Sequence, residues 1–305
     1  MGDTYEDTRG PVGRRLRALL RTVRWTAKTA LGARRTILAE TRWRLGDEIM
    51  ALPVYEALKT RYPGCVLSVL CNYPDLLAEN PFVDSVNEPS VSPDLYISLR
   101  GAPRTMNRLE HLARLAGAAV PEHAPRLYYT NWLAPLLDGW PGGRSGFVAI
   151  AAGTTWPTKR WASERWRALA DALAQQGIPA VELGHGHAPV GAGLNLVGQT
   201  TVREAACVLR AARVLICGDS GLMHVALAVG TPVVALFGPT RPDILFRREP
   251  GLTAVLNDRE CQGCWNASEA PATPGVCPRH IAQCLETIPV ETVLRRVKER
   301  WERGT

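Results

Sequence analysis

Short apolar runs alternate with longer amphipathic stretches along this chain, and that rhythm sets the first expectations. "RTILAE" (35–40) reads as a buried strand, "RWRLGDE" (42–48) as a turn, and "IMALPVYEALKTRYPG" (49–64) as a helix ended by Pro63 and Gly64. "CVLSVLC" (65–71) follows as a second strand, so the unit is strand, helix, strand, with parallel pairing through a right-handed crossover. "DLYISL" (94–99) predicts a further buried strand and "RLEHLARLAGA" (108–118) a helix. Pro121, Pro125, Pro135 and Pro141, with Gly142 and Gly143, mark 119–145 as a crossing between domains, with the boundary near 140.

The alternation then restarts. Strands are predicted at "GFVAIAAG" (146–153), "PAVELG" (179–184), "RVLICG" (213–218) and "PVVALFG" (232–238), and helices at 163–177, 201–212 and 221–230. The expected fold class is α/β: two lobes, 35–140 and 141–305, that bind ligand in the cleft outside the carboxyl ends of their strands. The polar turns after those strands are therefore where chemistry is expected.

Composition narrows the class. The 305 residues suit two domains, 46% hydrophobic content suits a folded protein, and no apolar run reaches the roughly 18 residues that cross a bilayer. The beginning of the chain shows no apolar core with a cleavage site, which reads as no secretory signal and a cytoplasmic protein. The net charge of +7 is uneven: Arg14, Arg15, Arg17, Arg21, Arg24, Lys28, Arg34 and Arg35 crowd into one segment without an acid. Leu16, Leu20, Val23, Ala27 and Leu31 recur at helical steps within it, so residues 1–34 read as a basic tail or amphipathic helix. A solvated tail, peripheral docking on an anionic membrane and nucleic acid all accommodate that pattern.

Three turns carry candidate chemistry. The strand 213–218 delivers Asp219, Ser220 and Gly221 to a helix start, where unpaired N–H groups and the helix dipole favour an anion. Gly221 lets backbone approach a phosphate, Ser220 can cap or donate, and His224 lies one turn in. Asp219 would repel phosphate, so its expected task is to accept N–H bonds from the turn. In "GTTWPTKRW", Thr154, Thr155 and Lys159 offer two hydroxyls and an ammonium to the same space. In "RLGDE", Gly46 permits a tight turn and Asp47 begins a helix whose positive end favours its ionised form, as an N-cap, a general base or both.

Cys261, Cys264, Cys277 and Cys284 follow a C-x2-C-x12-C-x6-C order, while Cys65, Cys71, Cys207 and Cys217 sit in apolar segments and read as core residues. The clustered four (segment 261–284) can supply thiolates to a structural zinc or iron, remain free, or pair as disulfides.

With these motifs in view the chain resembles the family-9 glycosyltransferases, which include the bacterial lipopolysaccharide heptosyltransferases. The resemblance is carried over about 35–300 by "RLGDEIMALPVYEALKTRYPG", "AAGTTWPTKRWASERWRALADAL", "NLVGQTTVREAACVLRAARVLICGDSGLMHVALAVGTPVVALFGPT" and "CLETIPVETVLRRV". It implies a twin Rossmann-like fold of the GT-B type, no catalytic metal, and an inverting transfer. The implied donor is a nucleotide-diphosphate heptose such as ADP-heptose, and the implied acceptor an anionic lipopolysaccharide core or other cell-surface glycan. Nucleic acid is not an expected partner on this reading.

Residue by residue, the resemblance assigns Asp47 as catalytic base and Thr154, Thr155 and Lys159 as donor-binding. Asp219, Ser220, Gly221, Leu222 and His224 fall on the phosphate motif and Thr200 near the nucleoside. Around 185–189 there is no counterpart of the acid that holds the donor ribose in the heptosyltransferases, and Ser98 stands where relatives often carry an acid. Asp47 would deprotonate an acceptor hydroxyl while Lys159 and the 221 helix stabilise the leaving diphosphate. The alternatives are a nucleotide-sugar epimerase of the same architecture, a protein-modifying heptosyltransferase, and a non-catalytic metal-stabilised binding module. Epimerised donor without acceptor would mark the first, and salt-sensitive lipid or nucleic-acid binding without nucleotide-sugar binding the last.

Overall fold

The computed structural model describes residues 26–28, 34–88, 92–101, 104–120, 125–132, 134–143, 146–246, 249–267, 273–277, 279 and 284–303. Its strands are β1 (Thr36–Glu40), β2 (Val66–Leu70), β3 (Ser85–Val86), β4 (Leu95–Ser98), β5 (Val148–Ala151), β6 (Ala180–Glu182), β7 (Leu194–Asn195), β8 (Val214–Gly218), β9 (Val233–Phe237) and β10 (Leu252–Leu256). They form a four-stranded sheet in the order β3-β2-β1-β4 and a six-stranded sheet in the order β10-β9-β8-β5-β6-β7. Every pairing is parallel, with Ile37 opposite Leu67 and Leu95 in the first sheet and Val148 opposite Ala180 and Val214 in the second. All carboxyl ends of a parallel sheet lie at one edge, so the turns after β5, β8 and β9 share one rim, as do those after β1, β2 and β4.

The helices are α1 (Leu45–Arg61), α2 (Arg108–Ala116), α3 (Ser163–Gln175), α4 (Val202–Ala211), α5 (Gly221–Ala228), the single turn α6 (Pro242–Leu245) and α7 (Val290–Arg303). α2 begins at Asn107, whose Oδ1 accepts from Leu109 and Glu110 N–H groups, and ends at the left-handed Gly117. α4 begins in a capping box, Thr201 with Glu204. α1 is buried almost all round, from Glu48 to Leu58, and packs against α2 and against α5 of the other lobe. No helix among the described residues is long and apolar enough to cross a membrane.

Several expectations need correction. α1 starts at Leu45, not Ile49, so Gly46 and Asp47 lie inside its first turn, and the N-cap is Arg44, which makes no side-chain cap. Glu48 explains the earlier start: it is buried and accepts from the backbone N–H groups of Trp43, Asn72 and Tyr73, tying the turns after β1 and β2 to the helix. The pattern missed β3 and β7, two residues each, as well as β10, α6 and α7. The first two carry too few positions to show alternation. α7 is amphipathic, burying Val293 and Val297 in the second lobe's core with Trp301 packed beside them.

Most of the basic segment, including Arg14, Arg15, Arg17, Arg21 and Arg24, lies outside the described residues. Within it, Ala27 of the expected apolar stripe is exposed, and Lys28 pairs with the buried Asp94 at 2.7 Å.

Candidate active site

The two lobes meet where two helices begin. α1 presents Leu45 and Gly46, and α5 presents Gly221 and, one turn in, His224. A Cβ on Gly46 would lie 2.7 Å from His224 Cδ2, and one on Gly221 would lie 3.0 Å from Leu45 Cδ2. Glycine at each contact thus lets the helix starts close on one another. The closure brings Asp47 from the first lobe into the electrostatic field of Lys159 and Asp219 from the second.

Asp47 forms an ion pair with Arg108, Nη2 to Oδ1 at 2.9 Å. Burial raises its carboxyl above the usual range, and Arg108, Arg44 and Lys159 pull against that rise. A carboxylate held partly desolvated beside cations suits a general base working nearer neutral pH than a free aspartate would. Arg108 was not singled out from the sequence. The signal was its place: it is the first residue of α2, where the helix dipole disfavours a cation, so it needs a counter-charge. It is buried, and its Nη1 donates to the Gly101 carbonyl.

Across the contact, Lys159 ends a short 3-10 turn (Pro157–Lys159) and donates to Asp219 Oδ2 at 2.5 Å; Thr240 Oγ1 donates to the same oxygen at 2.7 Å. Burial by itself would raise the Asp219 carboxyl, but Lys159, its hydrogen bond and that of Thr240 bring it below the usual carboxylate value. This corrects the expectation for Asp219: it accepts from two side chains rather than from the turn's N–H groups. An ammonium has three N–H donors, so the Asp219 bond leaves two for a ligand oxygen. Lys159 Nζ also lies 4.3 Å over the Trp156 ring.

Ser220 is the N-cap of α5 but makes no capping bond, contrary to one of its two expected roles. Its Oγ, Thr158 Oγ1 and His224 Nδ1 are buried without a hydrogen-bond partner among the described residues. The Ser220 hydroxyl, at the start of α5, is a group that an incoming anion can satisfy, whereas Thr158 lines the cavity of the clustered cysteines. Burial lowers the His224 imidazole to about 4, so it is neutral at pH 7; its ring lies 5.3 Å from that of Phe246. Leu222 packs against the core. Thr154 Oγ1 accepts from Trp156 N–H at 3.4 Å, and Thr155 is exposed beside it. Thr200 sits after β7, two strands beyond β5 on the same rim, at the far side of the site. Glu182, the acid nearest the expected ribose position, is buried and accepts from the N–H groups of Val190 and Ala192, so it shapes the 183–193 loop instead.

The four clustered cysteines line one cavity, together with Trp156, Thr158 and Trp265. Burial, then the neighbouring sulfurs, raise the Cys264 and Cys284 thiols, the latter to about 11. Asn257 Nδ2 donates to Cys284 Sγ at 3.2 Å. Among the described residues no three His, Cys, Asp or Glu side chains are drawn together as a metal-binding group. Cys65, Cys71, Cys207 and Cys217 are buried, as expected of core residues.

With this geometry in place, the chain can be compared with known proteins. It is 35% identical over 139 residues to "Lipopolysaccharide heptosyltransferase 1" of Pseudomonas aeruginosa, covering 42% of this chain and 38% of the relative. It is 29% identical over 220 residues to "Inactive autotransporter heptosyltransferase BimC" of Burkholderia thailandensis, covering 65% of this chain and 48% of the relative. The chain thus spans half or less of the length of these two curated relatives. Among solved structures, the iron-containing dodecameric glycosyltransferase TibC of enterotoxigenic E. coli superposes with a TM-score of 0.75 at 21% identity, covering 89% of this chain and 77% of TibC. TibC has also been solved with ADP-D-beta-D-heptose. These likenesses give the two-lobed GT-B fold. Residues 75–271 match the model of glycosyltransferase family 9 (heptosyltransferase), and the chain belongs to that family.

Proposed function

We propose that the chain is an inverting glycosyltransferase that moves a heptose from ADP-heptose to a hydroxyl of an anionic cell-surface glycan, with a lipopolysaccharide core as the favoured acceptor. One observation carries the reading: a partly desolvated carboxylate, Asp47, stands at the contact of the two lobes facing the Lys159–Asp219 pair and the open start of α5. The names of the relatives supply the donor class and the favoured acceptor.

In the proposed step the acceptor oxygen attacks the anomeric carbon from the face opposite the diphosphate. The new C–O bond forms as the bond to the diphosphate breaks, its electron pair leaving with the nucleoside diphosphate, and the acceptor proton goes to Asp47. Arg108 orients Asp47. Lys159, Ser220 and the N–H groups of Gly221 and Leu222 meet the charge that grows on the leaving oxygens, a preorganised electrostatic contribution. His224, neutral and packed against Gly46, closes the floor beneath it. Thr154 and Thr155 flank the donor, and Thr200 its nucleoside. We divide the chain at 140 into an acceptor lobe and a donor lobe, and place the basic segment against an anionic membrane face.

The four cysteines are suited to a structural iron or zinc. Four thiols share one cavity, the donor set is soft, and TibC is described as iron-containing. Such a metal would brace the 261–284 segment and takes no part in the transfer.

The test is turnover of ADP-heptose with a lipopolysaccharide-core acceptor. Asp47→Ala should abolish transfer while leaving donor binding nearly intact, and substantial turnover by that variant would overturn the base assignment. The relative named inactive supports a second reading, a chain that binds donor without transferring it. Donor binding with no turnover under any acceptor would establish that reading instead.

A further inference from the structure

Between Cys264 and Asn266 the chain makes a 3-10 turn that belongs to the second lobe yet reaches the first. The Arg104 guanidinium carbon lies 3.8 Å from the centre of the Trp265 ring, and Asn266 Nδ2 donates to the Arg104 carbonyl at 2.7 Å. The Asn266 amide is spanned at its other end, where its Oδ1 accepts from Arg241 N–H at 2.8 Å. Asn266 is buried, so losing either partner would strand a polar atom away from water. Arg104 lies in the bend that leads into α2, four residues before Arg108, the partner of Asp47.

The Trp265 and Trp156 rings meet edge to face with centres 4.9 Å apart, and the Trp156 ring carries Lys159 Nζ. Arg44, the residue before α1, lies 5.8 Å over the same Trp156 ring. One short turn therefore touches the segment leading to the base's partner and the turn that carries the donor-side cation. Neither Trp265 nor Asn266 is used in the proposed step.

We infer that Trp265 and Asn266 are positioning residues: they strap the lobes together and hold Arg104–Arg108 and Trp156–Lys159 in register, so that Asp47 and Lys159 face one reacting centre. The inference deepens the transfer reading and rests on it for its kinetic consequence alone. Registration at this scale matters because a displacement of about 1 Å between reacting groups can cost up to a hundredfold in rate.

The test uses the full chain with Trp265→Ala, Trp265→Phe and Arg104→Ala, and reads hydrogen exchange of the nucleotide-free protein alongside ADP-heptose kinetics. Trp265→Ala should raise exchange over both 104–108 and 156–159 and lower kcat by about tenfold or more, with a smaller change in donor KM. Trp265→Phe should restore both. Arg104→Ala, which keeps Trp265 and all four cysteines in the chain, should reproduce the exchange change and guards against a mere folding defect in Trp265→Ala. Unchanged protection over 104–108 in Trp265→Ala, or wild-type kcat in that variant, would overturn the inference. If the wild type transfers nothing, the transfer reading fails by itself, and the exchange readout decides whether the strap exists.

Discussion

Asp219→Asn keeps the shape of the side chain, removes its charge, and leaves Lys159 facing a neutral amide. Both partners are sheltered, with side-chain exposures of 14% for Lys159 and 7% for Asp219, so little solvent screens the loss. Removing one partner of a buried pair costs about 3–5 kcal/mol, and the amide oxygen can still accept from Thr240, which places the expected loss near the lower end, about 3 kcal/mol. Against a total stability of about 5–15 kcal/mol that is a large fraction, readable as a lower urea midpoint at unchanged slope.

The pH dependence gives a sharper check. The folded Asp219 carboxyl lies below its unfolded value of about 3.9, so the wild type's advantage over the variant is complete above that pH. It should shrink progressively as pH falls below about 4 toward the folded value. Urea unfolding of the two proteins at pH 7 and pH 3 measures this. A gap under about 1 kcal/mol at pH 7, or an equal gap at both pH values, would show that the pair does not stabilise the fold through its charge.

Three further outcomes follow from the same geometry. Arg108 lowers the Asp47 carboxyl, so Arg108→Gln should move the acidic limb of the pH–rate profile for transfer to higher pH; a limb that stays in place or moves to lower pH would contradict that pairing. Gly46→Ala should gain up to about 1 kcal/mol of helix preference but lose about 1–3 kcal/mol against the packed His224 ring, for a net loss by urea unfolding that is smaller than additive when combined with His224→Ala. Purified protein should carry about one iron or zinc per chain by elemental analysis, and a chelator should lower its melting temperature, whereas Cys261→Ser with Cys264→Ser should remove both the metal and the chelator effect.

The alternation of apolar strands with amphipathic helices was legible because each element's buried face is written at its own local period. The rims after β5 and β8 were legible for the same reason, as were the polar residues on them. Less legible were elements such as β3 and β7, where two residues are too few to show a period. The start of α1 was missed because Glu48 is fixed by the N–H groups of Asn72 and Tyr73, which lie beyond the next strand.

What the sequence determined by itself was the α/β lobes, the helix starts aimed at a cleft, and the residue types available there. What only the tertiary structure decided was who pairs with whom. Lys159 and Asp219 are 60 residues apart and Asp47 and Arg108 lie on different helices, yet each pair is within 3 Å. Asp219's depressed carboxyl, His224's neutrality and the reach of Trp265 into the other lobe follow from those distances and from burial. Periodicity is a local property of the chain, whereas Coulomb interaction and desolvation depend on separation in space, which the chain acquires only when both lobes are folded against each other.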